Sequence, residues 1–275
     1  MKSYPILKFR KMNKKILPVL FAGYVFAENK LMLRTRREYF GNDVRIAHIS
    51  DLHRRSFGKN NSRICRLVRR ENPDIIFITG DLVSRTETDF TEIENMLVHL
   101  CEVAPVYMIC GNHERTLKPE MKRKFAEMIR RTGVKILRNS SSEIEINGRK
   151  LHIYGLKENY RTYRNGSSYR NLGTITPEDM NNLLGKCPDG ETILLAHNPF
   201  FAEVYSQWGT EYTLSGHVHG GVIRLFGKGL LSPERKLFPP YSKGVFDIDG
   251  MKLLVSGGMG KFRLFNPPEV VIYRI

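Results

Sequence analysis

The sequence predicts an α/β fold built on a parallel sheet. Three observations carry that expectation: short unbroken apolar runs of strand length, basic amphipathic runs of helix length between them, and a polar, coordinating residue at the end of each apolar run. The chain has 275 residues, 41% of them hydrophobic, enough for one large domain or two small ones around a packed core.

Taken in order, residues 1–40 form a basic and partly apolar entry segment, and residues 41–275 carry the main folded domain. The entry segment holds ten Lys or Arg against two Glu, so +8 of the formal +16 lies there. A basic run with Lys2, Lys8, Arg10, Lys11, Lys14 and Lys15 precedes twelve uncharged residues, Ile16 to Ala27. Twelve is short of the roughly 20 that span a bilayer, and Pro18 interrupts them, which fits a signal h-region, an anchor or an interfacial segment. Further basic residues at Lys30, Arg34, Arg36 and Arg37 blunt any charge asymmetry that would set an orientation. We expect association with an anionic membrane surface at the cytoplasmic face, the alternative being an extracytoplasmic domain behind a signal or anchor.

Val44 to Ser50 reads as a strand running into Asp51-Leu52-His53, and residues two apart share a face, so a carboxylate and an imidazole leave the strand together. Asn60 to Arg70 is a basic helix with Ile64, Leu67 and Val68 inward, stopped by Asn72-Pro73. Asp74 to Thr79 is a strand buried on both faces that ends at Gly80-Asp81; a helix over Glu92 to Cys101 follows. Pro105 to Cys110 is a third such strand and ends at Gly111-Asn112-His113-Glu114. Alternation of this kind predicts right-handed crossovers and a parallel sheet, with ligands gathered at the carboxyl ends of its strands.

Pro119 to Thr132 is a helix closed by Gly133. A second sheet is then expected from Val134 to Leu137, Glu143 to Ile146 and Leu151 to Tyr154, the last two joined by the hairpin turn Asn147-Gly148. Residues 157–176 form a polar loop in which Arg161, Tyr163 and Arg164 are candidates to grip a phosphate or stack on a base; a solvent-exposed connector has the same composition. A helix over Pro177 to Leu184 leads to the buried strand Thr192 to Ala196, which ends at His197. Glu211 to Leu214 is a strand ending at Ser215-Gly216-His217-Val218-His219-Gly220-Gly221, either a presented pair of metal ligands or a turn with two solvated histidines. Val222 to Phe226, Val245 to Ile248, Lys252 to Val255 and Val270 to Tyr273 are the remaining strands. Between them Leu225 to Tyr241 mixes Phe226, Leu230, Leu231, Leu237 and Phe238 with Lys228, Arg235 and Lys236; exposed it would suit a lipid surface, and we expect it packed on the body.

Cys65, Cys101, Cys110 and Cys187 are widely spaced and form no Cys-x-x-Cys pair, which excludes a zinc knuckle and reads as reduced core thiols. His48 lies opposite Ile49 in its strand and reads as structural.

The strand ends collect Asp51, His53, Asp81, Asn112, His197, His217 and His219. Oxygen and imidazole donors without a thiolate suit two divalent ions of intermediate hardness, Mn, Fe or Zn, and are too rich in nitrogen for calcium. Two such ions sharing a carboxylate can generate a hydroxide near neutral pH and neutralise phosphoryl oxygens, so the set calls for phosphoester hydrolysis.

At these residues the sequence resembles the calcineurin-like metallophosphoesterase superfamily: Asp51-x-His53, Gly80-Asp81, Gly111-Asn112-His113-Glu114, His197 and Gly216-His217-x-His219, over about residues 44 to 260. The nearer likeness is to bacterial membrane-associated phosphoesterases, some of which hydrolyse UDP-diacylglucosamine. The resemblance implies a four-layer α/β/β/α sandwich. It implies that Asp51, His53 and His219 bind one metal, that Asn112, His197 and His217 bind the other, and that Asp81 bridges. It further implies that the catalytic residue His113 stays off the metals and stabilises the transition state or protonates the leaving oxygen. Several relatives pair that histidine with an Asp three residues after the bridging one; here the position is Ser84.

The expected function is therefore a dimetal phosphodiesterase or phosphatase using a bridging hydroxide on a membrane-linked or otherwise anionic phosphodiester or pyrophosphate. Its alternatives are a metal-dependent nuclease, suggested by the basic body, and a non-catalytic scaffold of the same fold. Composition leaves the oligomeric state open.

Overall fold

The computed structural model describes residues 16–232 and 237–275. The basic run from Lys2 to Lys15 and the expected loop residues Arg235 and Lys236 lie outside the described residues. Helix α1 (Ile16–Lys30) and strand β1 (Arg34–Tyr39) come from the entry segment. They are followed by β2 (Arg45–Ile49), α2 (Ser62–Glu71), β3 (Ile75–Ile78), α3 (Thr91–Cys101), β4 (Val106–Met108), α4 (Asn112–Arg115), α5 (Pro119–Thr132) and β5 (Lys135–Ile136). The second half runs β6 (Ser140–Ile146), β7 (Arg149–Gly155), α6 (Pro177–Leu184), β8 (Glu191–Leu195), α7 (Ala202–Trp208) and β9 (Tyr212–Ser215). It closes with β10 (Arg224–Leu225), β11 (Lys228–Gly229), β12 (Gly244–Ile248), β13 (Met251–Val255) and β14 (Glu269–Arg274).

Two six-stranded sheets result, in the orders β1-β14-β2-β3-β4-β5 and β12-β13-β9-β8-β7-β6. β2 through β5 are parallel, and so are β7, β8, β9 and β13, as expected where helices return the chain. Three apolar layers hold the sandwich together. Ile49, Ile76 and Ile78 face Ile64, Val68, Met96 and Phe125 of the first helical layer. Ile46, Phe77, Tyr107, Ile153, Leu195 and Tyr273 fill the space between the sheets. Leu194 and Leu253 meet Met180, Tyr205 and Trp208 of the second helical layer. Every residue of β3 is buried because both of its faces are covered, which is why it reads as a continuous apolar run. The order helix, sheet, sheet, helix is the α/β/β/α sandwich.

Three expectations are corrected. The strand at Lys135–Ile136 pairs with β4 and closes the first sheet, so the second sheet begins at β6. The expected strand over Val222 to Phe226 shortens to Arg224–Leu225, paired with Lys228–Gly229. The Leu225 to Tyr241 loop is not packed on the body as a whole: Phe226, Leu237 and Phe238 are exposed. The hairpin at Asn147-Gly148 forms as expected, with φ of 53° and 78° at the two central residues and β6 antiparallel to β7. All four cysteines are free. Among the described residues no helix is long and apolar enough to cross a membrane.

Candidate metal centre

The seven donors meet where the carboxyl ends of the two sheets converge. Asp51 and His53 follow β2, Asp81 follows β3, Asn112 opens α4 after β4, His197 follows β8, and His217 and His219 follow β9. Each sheet thus supplies part of the set. Five of the seven, Asp51, His53, Asp81, His217 and His219, have φ between 52° and 70°. Side chains with a Cβ rarely adopt that left-handed backbone, and such strain concentrates at functional sites. Strand alternation alone does not aim these groups; the turn at each strand tip does.

Nε2 of His53 lies 3.0 Å from Nε2 of His219, which is 3.4 Å from Oδ1 of Asp51. Nε2 of His197 is 3.3 Å from Oδ2 of Asp81 and 3.1 Å from Oδ1 of Asn112, while Asp81 Oδ2 is also 4.0 Å from His53 Nε2. Three donor triads, each with its ligand atoms within 4.8 Å of one another, could hold a cation: Asp51, His53 and His219; Asp81, His197 and His217; and His53, Asp81 and His113. Asp81 belongs to two of them, with His197 and His217 of the second sheet and with His53 and His113 of the first, and His53 also belongs to two. The third triad shows that His113 also reaches the centre.

The donor set fits divalent cations. Thr79 O lies 2.6 Å from His197 Nδ1 and can only accept, so Nδ1 carries a proton and Nε2, aimed at Asp81 and Asn112, is the nitrogen a cation would take. His53 Nδ1 is buried without a hydrogen-bond partner, and burial drives that ring down to about 3, against the pull of Asp81, so it is neutral and able to coordinate. Burial would raise the Asp51 and Asp81 carboxyls, but the nearby His219 and His197 outweigh it and hold both below the usual range. Burial pulls His197 down, but Asp81, Asp51 and Glu158 together raise it to about 10. A cation at this point would take over the role of that proton.

Residues to which the sequence reading gave no role at the centre build the cradle. Glu114, buried, accepts hydrogen bonds from the N–H groups of Asp81, Val83 and Gly111, at 2.9, 3.1 and 2.9 Å, tying the tips of β3 and β4 together. Burial and the charge of Asp81 raise it to about 7. His48, Thr79 and Ser50 form a buried chain of hydrogen bonds that ends on Asp51 Oδ2. Arg263, also buried, donates to the carbonyls of Gly257, Gly260 and His219, and Asn266 Nδ2 donates to His219 and Gly221. Glu114 sits inside a motif; Arg263 and Asn266 act on backbone carbonyls, and His48, Thr79 and Ser50 act through their side chains.

The cavity above the centre is lined by His113, Arg85, Tyr160, Arg164 and Tyr169, so Arg164 of the polar loop reaches the mouth. Tyr163 is buried as a wall, its ring 4.8 Å from that of His217 and 5.8 Å from that of His197. Arg161 does not line the cavity; its backbone hydrogen-bonds to Asn159 and Gly173. Ser84 offers no carboxylate to accept from His113 Nδ1, and the contact there runs the other way: the backbone N–H of Arg85 donates to Nδ1 at 3.3 Å. The ring therefore carries its proton on Nε2, 3.2 Å from Nη2 of Arg85, and two donors face one point.

Comparison with known proteins bears on the same part of the chain. The family profile of calcineurin-like phosphoesterases matches residues 44–221, well over half of the chain. An uncharacterized metallophosphoesterase of Aquifex aeolicus is 27% identical over 92% of this chain and 92% of its own length. The phosphodiesterase YaeI of Escherichia coli is 26% identical over 89% and 87%, and the UDP-2,3-diacylglucosamine pyrophosphatase LpxG of Chlamydia muridarum is 23% identical over 84% and 83%. Among solved structures TT1561 of Thermus thermophilus superposes with a TM-score of 0.51 at 12% identity, over 79% of this chain and 90% of that one, a likeness of fold.

Proposed function

The chain belongs to the calcineurin-like phosphoesterase family and is a metal-dependent phosphohydrolase, and on that premise we propose that it cleaves a membrane-linked or otherwise anionic phosphodiester or pyrophosphate at a two-cation centre. The observation that carries this reading is the position of Asp81, whose carboxylate is shared between donors from the first sheet and donors from the second. In this reading Asp51, His53 and His219 hold one divalent cation, Asn112, His197 and His217 hold the other, and Asp81 lies between. Manganese, iron or zinc in those places would supply Lewis acidity at the phosphoryl oxygens and lower the pKa of a water nucleophile.

The remaining steps belong to the protein's own groups. Neutral His113 presents an Nε2 proton, with burial first and then Arg85 disfavouring the imidazolium. Set against Arg85 across 3.2 Å, it is ready to bind an anionic oxygen jointly with that guanidinium and to give its proton to the leaving oxygen. Arg164 closes on the phosphate from the opposite loop, and buried Tyr163 excludes water behind His197 and His217. The relatives named as a phosphodiesterase and a lipid-sugar pyrophosphatase support the diester or pyrophosphate class. Four free cysteines support a reducing compartment, the cytoplasmic face of a membrane.

The test is a panel of aryl phosphomonoester, aryl phosphodiester, nucleotide-sugar pyrophosphate and oligonucleotide, each with added Mn, Fe or Zn. Hydrolysis of the diester or pyrophosphate that disappears in Asp81→Asn is expected. Turnover that survives Asp81→Asn would show that the centre lies elsewhere, and turnover confined to oligonucleotide would make the protein a nuclease.

A further inference from the structure

The surface beside the metal centre carries phenylalanines that the fold itself does not use. Phe226 is 101% exposed, Phe262 81%, Leu237 73% and Phe238 67%. The three phenylalanines have φ of 48°, 59° and 47°, a backbone that bulky side chains avoid, and none of that strain is offset by burial. They sit on one ribbon. Leu264 N donates to Val222 O and Arg224 N to Leu264 O, each at 3.0 Å, Leu230 N donates to Ile223 O at 2.9 Å, and Phe238 N to Leu230 O at 2.9 Å.

Helix α1 is fastened to the same ribbon. Its Asn29 Nδ2 donates to Arg263 O at 2.7 Å, its buried Glu28 accepts from the N–H groups of Phe265 and Asn266, and Tyr24 stacks 5.5 Å from Phe265. Residues 16–23, apolar apart from the backbone, are exposed on every side of the helix. Between helix and ribbon runs a groove of about 760 Å³ lined by Val25, Phe26, Val222, Ile223, Phe262 and Leu264, with Lys30, Arg54 and Lys261 along it.

We propose that α1 and this ribbon form a docking face for an anionic lipid bilayer. An apolar half-helix, residues 16–23, exposed all round with aromatic tips beside it, gains free energy only by leaving water. The uncharged stretch of twelve residues measures about 18 Å at ~1.5 Å per residue, short of the roughly 30 Å hydrocarbon core, so the helix seats in the interface. The cations select the sign of the surface. Lys30, Lys228 and Lys261 are exposed among the apolar tips, and residues 1–15 add six Lys or Arg and no acid in sequence. A second copy of the chain would bring the same cations face to face, which disfavours a symmetric dimer through this surface. The ribbon begins directly after His219, and Arg263 Nη1 donates to the carbonyl of His219, so docking sets the metal centre against the headgroups. The face deepens the reading of the substrate as membrane-linked and rests on it for that consequence alone, since docking itself requires no hydrolysis.

The test uses the full chain with vesicles of phosphatidylcholine and of phosphatidylcholine with one quarter phosphatidylglycerol, compared with a triple variant Phe226→Ser, Phe238→Ser, Phe262→Ser. Cosedimentation with the anionic vesicles, weakened by salt, is expected, with partitioning of the variant reduced about tenfold or more. Hydrolysis of soluble bis(p-nitrophenyl) phosphate by the variant is expected to match the wild type, because none of the three residues touches the centre. Equal vesicle binding by wild type and variant, or no binding by the wild type, would overturn the proposal. So would a wild-type dimer in sedimentation velocity that becomes monomeric in the variant. Vesicle binding without metal-dependent hydrolysis of any substrate would sustain the docking face and remove the hydrolase reading instead.

Discussion

His48 and His197 lie on opposite sides of the same problem, an imidazole taken wholly out of water. Burial first, then the charge of Arg36, lowers His48 to about 3 against an ordinary 6.5, so its contribution to stability is complete above pH 6.5 and is lost as the pH falls towards 3. A denaturant midpoint for the metal-stripped protein should therefore fall between pH 6.5 and 4, and less so in His48→Gln, whose amide reaches the place of Nε2 beside Thr79 but does not titrate. An identical slope in the two proteins would remove His48 from this account. His197, raised by Asp81, works in the other direction: its stabilisation is complete below 6.5 and fades as the pH rises towards about 10. Gly216 tests the cradle from below, since a Cβ there would collide with Ser50 Oγ and Asp51 Oδ2. Gly216→Ala should fold, shown by an unchanged far-ultraviolet spectrum, yet retain about one cation fewer per chain after dialysis. Two bound cations in that variant would show that the backbone has room to move. At this scale the donors were legible because Asp, Asn and His stand at the ends of apolar runs. Glu114, Asn266 and Arg263 were not, because their partners are backbone groups, which leave no mark in the sequence, and those at Asp81, Val83, His219 and Gly221 also lie far away along the chain.

Among the elements, those with a strong period were legible to within a residue or two. The helix over Pro119–Thr132 declares itself by Pro at its start and Gly133, at φ 82°, beyond its end, and β3 by four consecutive buried apolar residues. β5 was placed in the wrong sheet because a two-residue strand has no period of its own, and its proximity to the β6–β7 hairpin in sequence says nothing about its pairing with β4. β1 was hidden by its composition: four charged residues in six make an edge strand resemble solvated coil, and its partner β14 lies at the far end of the chain. The polar loop over 157–176 was legible as a candidate for substrate contact but not residue by residue. Its path brings Arg164 to the cavity and leaves Arg161 outside, while Arg85 enters from the loop after β3. Replacing Arg164 or Arg85 by Ala should raise KM for a soluble aryl phosphodiester about tenfold or more, the cost of a lost charged hydrogen bond, with metal content unchanged. Arg161→Ala should leave KM as it is. Equal effects at 161 and 164 would show that the loop acts by its net charge and not by its geometry.

For the whole molecule the decisive fact is that the centre is built across the two sheets. Asp51, His53, Asp81 and Asn112 come from strand tips of the first sheet, and His197, His217 and His219 from those of the second. The apolar layer between the sheets joins them along their length, but at this edge the contacts are between polar groups: Asp81 with His197, Asn112 with His197, Asp51 with His219 and with the N–H of His217. Cations bound there would link the halves of the sandwich and would bind the folded chain only, because the unfolded chain does not assemble the seven donors. Binding at about 100 times Kd adds about 2.7 kcal/mol per site. For two sites in a domain of this size that is roughly 10–20 °C in Tm, at about 2–4 °C per kcal/mol. Stripping the protein with a chelator and refilling it with Mn should lower and then restore Tm by that amount in calorimetry. In Asp81→Asn the difference between stripped and refilled protein should shrink by at least half, since both sites lose the shared carboxylate. A full restoration in Asp81→Asn would mean that the sites are independent, and the bridge between the sheets would then rest on His197 and His219 alone.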